Sequence, residues 1–173
     1  MDKKKAPKHS SYMVFGFSVF TALFLEIVNF PAEIEMFRPD FLALVLIYFA
    51  FFDPQRINIG LAWICGLFLD LLTGAPLAIN ALICASQVFI IHTQFRRFSN
   101  YVIYQQAIII GLVNIIAHVV AYWLEHLLGA GNYHVNFIGT AIATTIAWMF
   151  IALLLKFLCK KFAVVPFGAE QED

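Results

Sequence analysis

From residue 12 to residue 158 the chain is almost unbroken apolar sequence, interrupted only by short polar or turn-forming segments. A water-soluble fold cannot use that pattern, because most of its surface faces water. Hydrophobic residues make up 62% of the chain and charged residues 13%, about half the usual charged share of roughly 25%. Lipid is the solvent this sequence suits. The formal net charge is zero, so a nucleic-acid partner has no support.

Crossing about 30 Å of hydrocarbon takes roughly 20 helical residues. Six segments qualify as candidates: 12–30, 39–52, 57–72, 75–91, 101–128 and 135–158. The second and third are short and the fifth is long. Taken as one helix, the 36 residues of 57–92 would reach about 54 Å, too far for a single crossing. Thr73-Gly74-Ala75-Pro76 in their middle is a turn signal, so two short helices are expected. The fold class is therefore an all-α membrane protein, a bundle of six transmembrane helices. A basic tail (1–11) precedes the bundle domain (12–158), and a second tail (159–173) follows it.

Charge placement orients the bundle. With the N-terminus inside, Lys3, Lys4, Lys5, Lys8, Arg56, Arg96, Arg97, Lys156, Lys160 and Lys161 all fall on the inner side. Only Arg38 falls outside. This positive-inside bias expects both termini in the cytoplasm. The basic start followed by an apolar run looks like a signal sequence. The run is long enough to span and no Ala-x-Ala-like site follows it, so it is read as the first transmembrane helix.

The outer loops 31–38 and 129–134 are too small for a catalytic domain, so function is expected in the helices and tight turns. Polar residues recur there at helical spacing. Ser18, Ala22, Glu26 and Asn29 share a face, as do Gly66, Asp70 and Thr73, and Asn80, Cys84 and Gln87. Gly111, Asn114, His118 and Glu125 form a fourth stripe, and Asn136, Thr140, Thr144 and Trp148 a fifth. Small and polar faces are what packed membrane helices need, and contact between helices is preferred to a proton path. His118 and Glu125 lie two turns apart, so His118 is expected to be a packing histidine. No His-x-x-x-His pair, nucleophile motif or phosphate loop occurs. No catalytic, cofactor-binding or metal residue is nominated. Cys65, Cys84 and Cys159 form no disulfide framework and are read as packing residues.

Three segments stand out together. They are Phe37-Arg38-Pro39-Asp40 with Leu42, Leu44, Leu46, Ile47 and Tyr48; Pro54-Gln55-Arg56-Ile57-Asn58-Ile59-Gly60; and Gly66 through Leu77 with Ala81-Leu82. Their order and spacing resemble the MreD family of rod shape-determining proteins, small bacterial inner-membrane proteins. Asn100, Tyr104-Gln105-Gln106-Ala107 and Trp123-Leu124-Glu125 resemble its proteobacterial branch. Two positions depart from the family pattern: Ala78 where glycine is frequent, and Asp53 where an apolar residue is common.

Local chemistry suggests roles for these residues. Pro39 suits a first helical turn, and Asp40 suits the positive end of that helix. Arg38 has Glu33, Glu35 and Asp40 near it in sequence. Arg56 is placed at headgroup level in an inner turn. Asp70 lies one turn before Thr73-Gly74 and is expected to clamp that turn as a hydrogen-bond acceptor. The partner-binding or structural polar candidates are Glu26, Phe37, Arg38, Pro39, Asp40, Arg56, Asp70, Gly74, His118 and Glu125.

The resemblance implies a non-catalytic scaffold of the machinery that elongates rod-shaped cells by side-wall peptidoglycan synthesis. Its implied partners are MreC, the glycan polymerase RodA with its class B penicillin-binding transpeptidase, MreB indirectly, and membrane lipids. It also implies a fold like the six-helix substrate-binding subunits of vitamin uptake transporters. The alternative is therefore a small-molecule-binding subunit of a membrane transporter, with Glu26, Asp70 and Trp123 as lining candidates.

Overall fold

A computed structural model of the chain describes residues 9–28, 31, 37–54, 57–95, 98–127 and 137–162. Among them are six α-helices: α1 (His9–Ile27), α2 (Phe41–Phe52), α3 (Ile59–Thr73), α4 (Ile79–Gln94), α5 (Ile103–Leu127) and α6 (Phe137–Lys161). A single 3₁₀ turn, Phe98–Asn100, precedes α5. The turn at Thr73-Gly74 does divide 57–92 into two helices. Glu33, Glu35, Asn29, Arg56 and the loop 129–134 lie outside the described residues.

Sequence chemistry explains where the helices begin and end. Asn58 is the N-cap of α3, and its side chain accepts a hydrogen bond from the Leu61 amide at 3.1 Å, the usual way to satisfy an orphan donor. Gly74 ends α3 at φ +69°, a left-handed conformation that glycine adopts without Cβ strain. Helix α4 starts at Ile79 rather than Ala75, because 75–78 is spent on the connection. Pro39 precedes α2 instead of opening it; Asp40 is the N-cap and Phe41 the first helical residue.

Helix α2 is the core. Leu42 through Ile47, Phe49 and Ala50 are all buried. A helix apolar all round can face either lipid or protein; α2 faces protein, packed against α1, α3, α4 and α6. Helices α3 and α4 form a tight hairpin, α5 and α6 pair, and α4 also meets α5. A Cβ added at Gly66 of α3 would lie 2.5 Å from Ala81 Cα and 2.6 Å from Asn80 O, so the hairpin exists at this spacing only with glycine there. In the second pair, a Cβ at Gly111 would strike Thr145 Oγ1.

The outer faces are apolar too. Phe17, Phe20 and Phe24 on α1, Ile108, Leu112 and Ile116 on α5, and Ile142, Ile146, Leu153 and Phe157 on α6 are all at least half exposed. Large contiguous apolar exposure is foreign to a water-soluble monomer and normal against lipid. Helices α5 and α6, 25 residues each, are long and apolar enough to cross a membrane; at that length each reaches about 37 Å. The other four are shorter apolar helices.

Candidate functional site

Four of the described buried polar residues, Gln87, Asn114, His118 and Thr144, converge on Asp40. Three side-chain donors meet its Oδ2 atom: Nε2 of His118 at 2.7 Å, Nε2 of Gln87 at 3.3 Å, and Nδ2 of Asn114. The Asp40 backbone amide donates to Thr144 Oγ1 at 3.1 Å. Gln87, Asn114 and Thr144 are fully buried, and His118 nearly so. One residue at the head of α2 is thereby tied to α4, α5 and α6.

This is not the arrangement that helix-end electrostatics suggests. As an N-cap Asp40 makes no side-chain bond to its own helix. Its carboxylate is committed across the bundle, and Glu26 of α1 faces the amides of Phe41 and Leu42 instead. Buried anions need several donors or a paired cation, and Asp40 has three donors on one oxygen. Arg38 lies in the electrostatic reach of Glu26 and sends Nη2 to the Leu25 carbonyl at 3.5 Å. The end of α1 and the start of α2 are therefore fastened by Glu26, Arg38 and Leu25. Phe37, directly before these anchored residues, is 51% exposed.

A second buried carboxylate organises the α3–α4 hairpin. Asp70 accepts from the amides of Ala78 (2.9 Å), Asn80 (2.8 Å) and Ala81 (3.3 Å). Those amides lie beyond the Thr73-Gly74 turn, at the head of α4, so Asp70 works as a cap supplied by the preceding helix. Gly74 sits between as the left-handed residue.

The structure thus gathers Glu26, Arg38, Asp40 and His118 at one end of α2, with Pro39 and Phe37 on the segment leading in. Asp70 and Gly74 form a separate hairpin cluster. Glu125 is buried on α5, two turns or about 10 Å beyond His118. Arg56 lies outside the described residues. His118 is a packing histidine with a specific partner, 78 residues away in sequence. Gln87, Asn114 and Thr144 stood in the polar stripes but were not singled out. Their recurrence at helical spacing within three apolar segments was the signal in the sequence; that they meet one carboxylate required the fold.

Chemically, a buried carboxylate that three side-chain donors hold is a clamp. It fixes the head of α2 against α4, α5 and α6, well inside those three helices, while Phe37, three residues before Asp40, is exposed.

The sequence profile of the rod shape-determining protein MreD family matches residues 8–161. A rod shape-determining protein MreD of Haemophilus influenzae is 27% identical over 140 residues, covering 81% of this chain and 86% of that protein. No solved structure matches. The matched region takes in all six described helices, from the Asp40 clamp to the Asp70 hairpin, and the chain belongs to the MreD family of rod shape-determining proteins.

Proposed function

We propose that this protein is a non-catalytic scaffold of the cell elongation machinery. It crosses the bacterial inner membrane six times, has both termini in the cytoplasm, and holds an MreC-type partner at its outer end. Through that partner it supports side-wall peptidoglycan synthesis by the RodA polymerase and its class B transpeptidase, with MreB acting indirectly from the cytoplasmic side. Family membership supports a role in rod shape. The observation that carries the finer reading is the anchoring of Asp40 to α4, α5 and α6 beside an exposed Phe37. An aromatic residue held out from a rigid base is what a protein-binding hot spot requires.

The test is depletion together with capture. Depleted rods should round up, and Phe37→Ala protein should accumulate normally while retaining less of the MreC-type partner. Arg38 is unsuitable for charge reversal, because an acid there would join Glu26 and Asp40 at one helix end.

One observation favours the alternative, a solute-binding subunit. Beside the Asp40 clamp, Gln87 Oε1 and Asn114 Oδ1 are buried acceptors with no hydrogen-bond partner among the described residues, as a small polar solute with donor groups would find useful. Rods that survive depletion, and purified protein that carries a vitamin-like solute, would move the assignment to that reading.

A further inference from the structure

At the end of α2 opposite the Asp40 clamp, a cleft of about 510 Å³ opens between α2, α5 and α6. Its volume lies within the roughly 300–1,000 Å³ of small-molecule sites. Phe51, Phe52, Phe98 and Trp148 line it, and among the described residues Lys156 is the one charged residue in its lining. The aromatic wall is fixed in place. Phe98 stacks on Phe51 with centroids 4.7 Å apart and meets Trp148 edge-on at 5.9 Å. Trp148 Nε1 donates to Gln106 Oε1 at 3.2 Å, and Gln106 Nε2 donates to the carbonyls of Phe98 at 3.0 Å and Tyr101 at 3.1 Å. A preformed wall lowers the ordering cost of binding.

We propose that this cleft is a lipid site that takes one acyl chain of an anionic phospholipid against its aromatic wall, with the headgroup phosphate at Lys156. Two features select this occupant. Leu153 lines the cleft and is also 59% exposed on the apolar outer face of α6, so the cleft opens sideways to where acyl chains lie. Lys156 lies at the end of α6 that also carries Lys160 and Lys161, where headgroups begin. Basic pockets between transmembrane helices on the cytoplasmic side suit anionic headgroups. The leaflet assignment rests on the cytoplasmic C-terminus proposed above; the cleft itself does not.

Native mass spectrometry of the full-length protein in detergent, offered equal phosphatidylglycerol and phosphatidylcholine, tests the site without reference to orientation. Wild type should retain phosphatidylglycerol preferentially. Lys156→Ala should lower that preference by about fivefold, the worth of one lysine near an anionic surface. Lys160→Ala, an exposed lysine that does not line the cleft, should not. Ala152→Phe, which fills the buried wall of the cleft, should remove retention of either lipid while circular dichroism shows the helices intact. A photo-crosslinker at Leu153 in native membranes should label lipid. Equal retention of both lipids by wild type, equal loss in Lys156→Ala and Lys160→Ala, or a Leu153 adduct to a protein helix instead of lipid would each overturn the proposal. Retained lipid together with a C-terminal reporter active outside the cytoplasm would leave the site standing and reverse only the leaflet.

Discussion

Asp70 meets three amides with two oxygens, and one of those amides belongs to a strained residue. Ala78 sits at φ +77°, where an L-residue loses about 1–2 kcal/mol relative to right-handed backbone and glycine loses little. The departure from the family pattern at this position therefore has a physical cost. Ala78→Gly should raise the stability of the detergent-solubilised protein by about 1 kcal/mol, read as a higher thermal midpoint; an unchanged or lower midpoint would show the strain is not real. Asp70→Leu should do the opposite. It leaves buried donors unmet at roughly 1–3 kcal/mol, and the protein should accumulate poorly. Wild-type levels would deny the carboxylate its structural role. Sequence reasoning reached Asp70 because the acid stands one turn before a Gly-containing turn. It could not reach the Asp40–His118 contact, because nothing local in the chain records a meeting of residues 78 apart.

At the scale of helices, two glycines set the two closest pairings, and they differ in what they touch. Around Gly66 the obstacles to a Cβ are backbone atoms of Asn80 and Ala81, which cannot turn aside. Around Gly111 the obstacle is the Thr145 hydroxyl, while Thr145 Cβ is 3.5 Å away. Gly66→Ala should therefore force α3 and α4 apart and destabilise by about 1–3 kcal/mol, as overpacking does. Gly111→Ala should be harmful alone and largely rescued by Thr145→Ala, which removes the clashing oxygen. Thermal midpoints of the two single variants and the double variant check this, and failure of the rescue would contradict the assigned contact. The helices themselves were largely legible, since apolar length and turn residues bound them. Their ends were less so. Pro39 suggested a first turn, yet Asp40 occupies the N-cap position of α2 and leaves the proline outside. The apolar run from residue 75 suggested helix, yet the connection consumes residues 75–78.

For the whole molecule, family and apolar helices together make this an inner-membrane protein with a part in rod shape determination. The orientation argument predicts that a reporter active only outside the cytoplasm is silent after Lys161 and active within 129–134. An active fusion after Lys161 would reject the even number of crossings. Burial of α2 at the centre was not visible in its sequence: an apolar run faces lipid or protein equally well, and only the packing of α1, α3, α4 and α6 around it decides. The scaffold account depends above all on the segment that the Asp40 clamp presents. The most direct measurement is affinity capture of the full-length protein from native membranes, with mass spectrometry of what accompanies wild type and Phe37→Ala at matched expression. The account predicts an MreC-type partner with wild type and several-fold less with Phe37→Ala, while helix content stays the same. Equal capture by both proteins, or a wild type that brings down no such partner and carries a small solute instead, would contradict it.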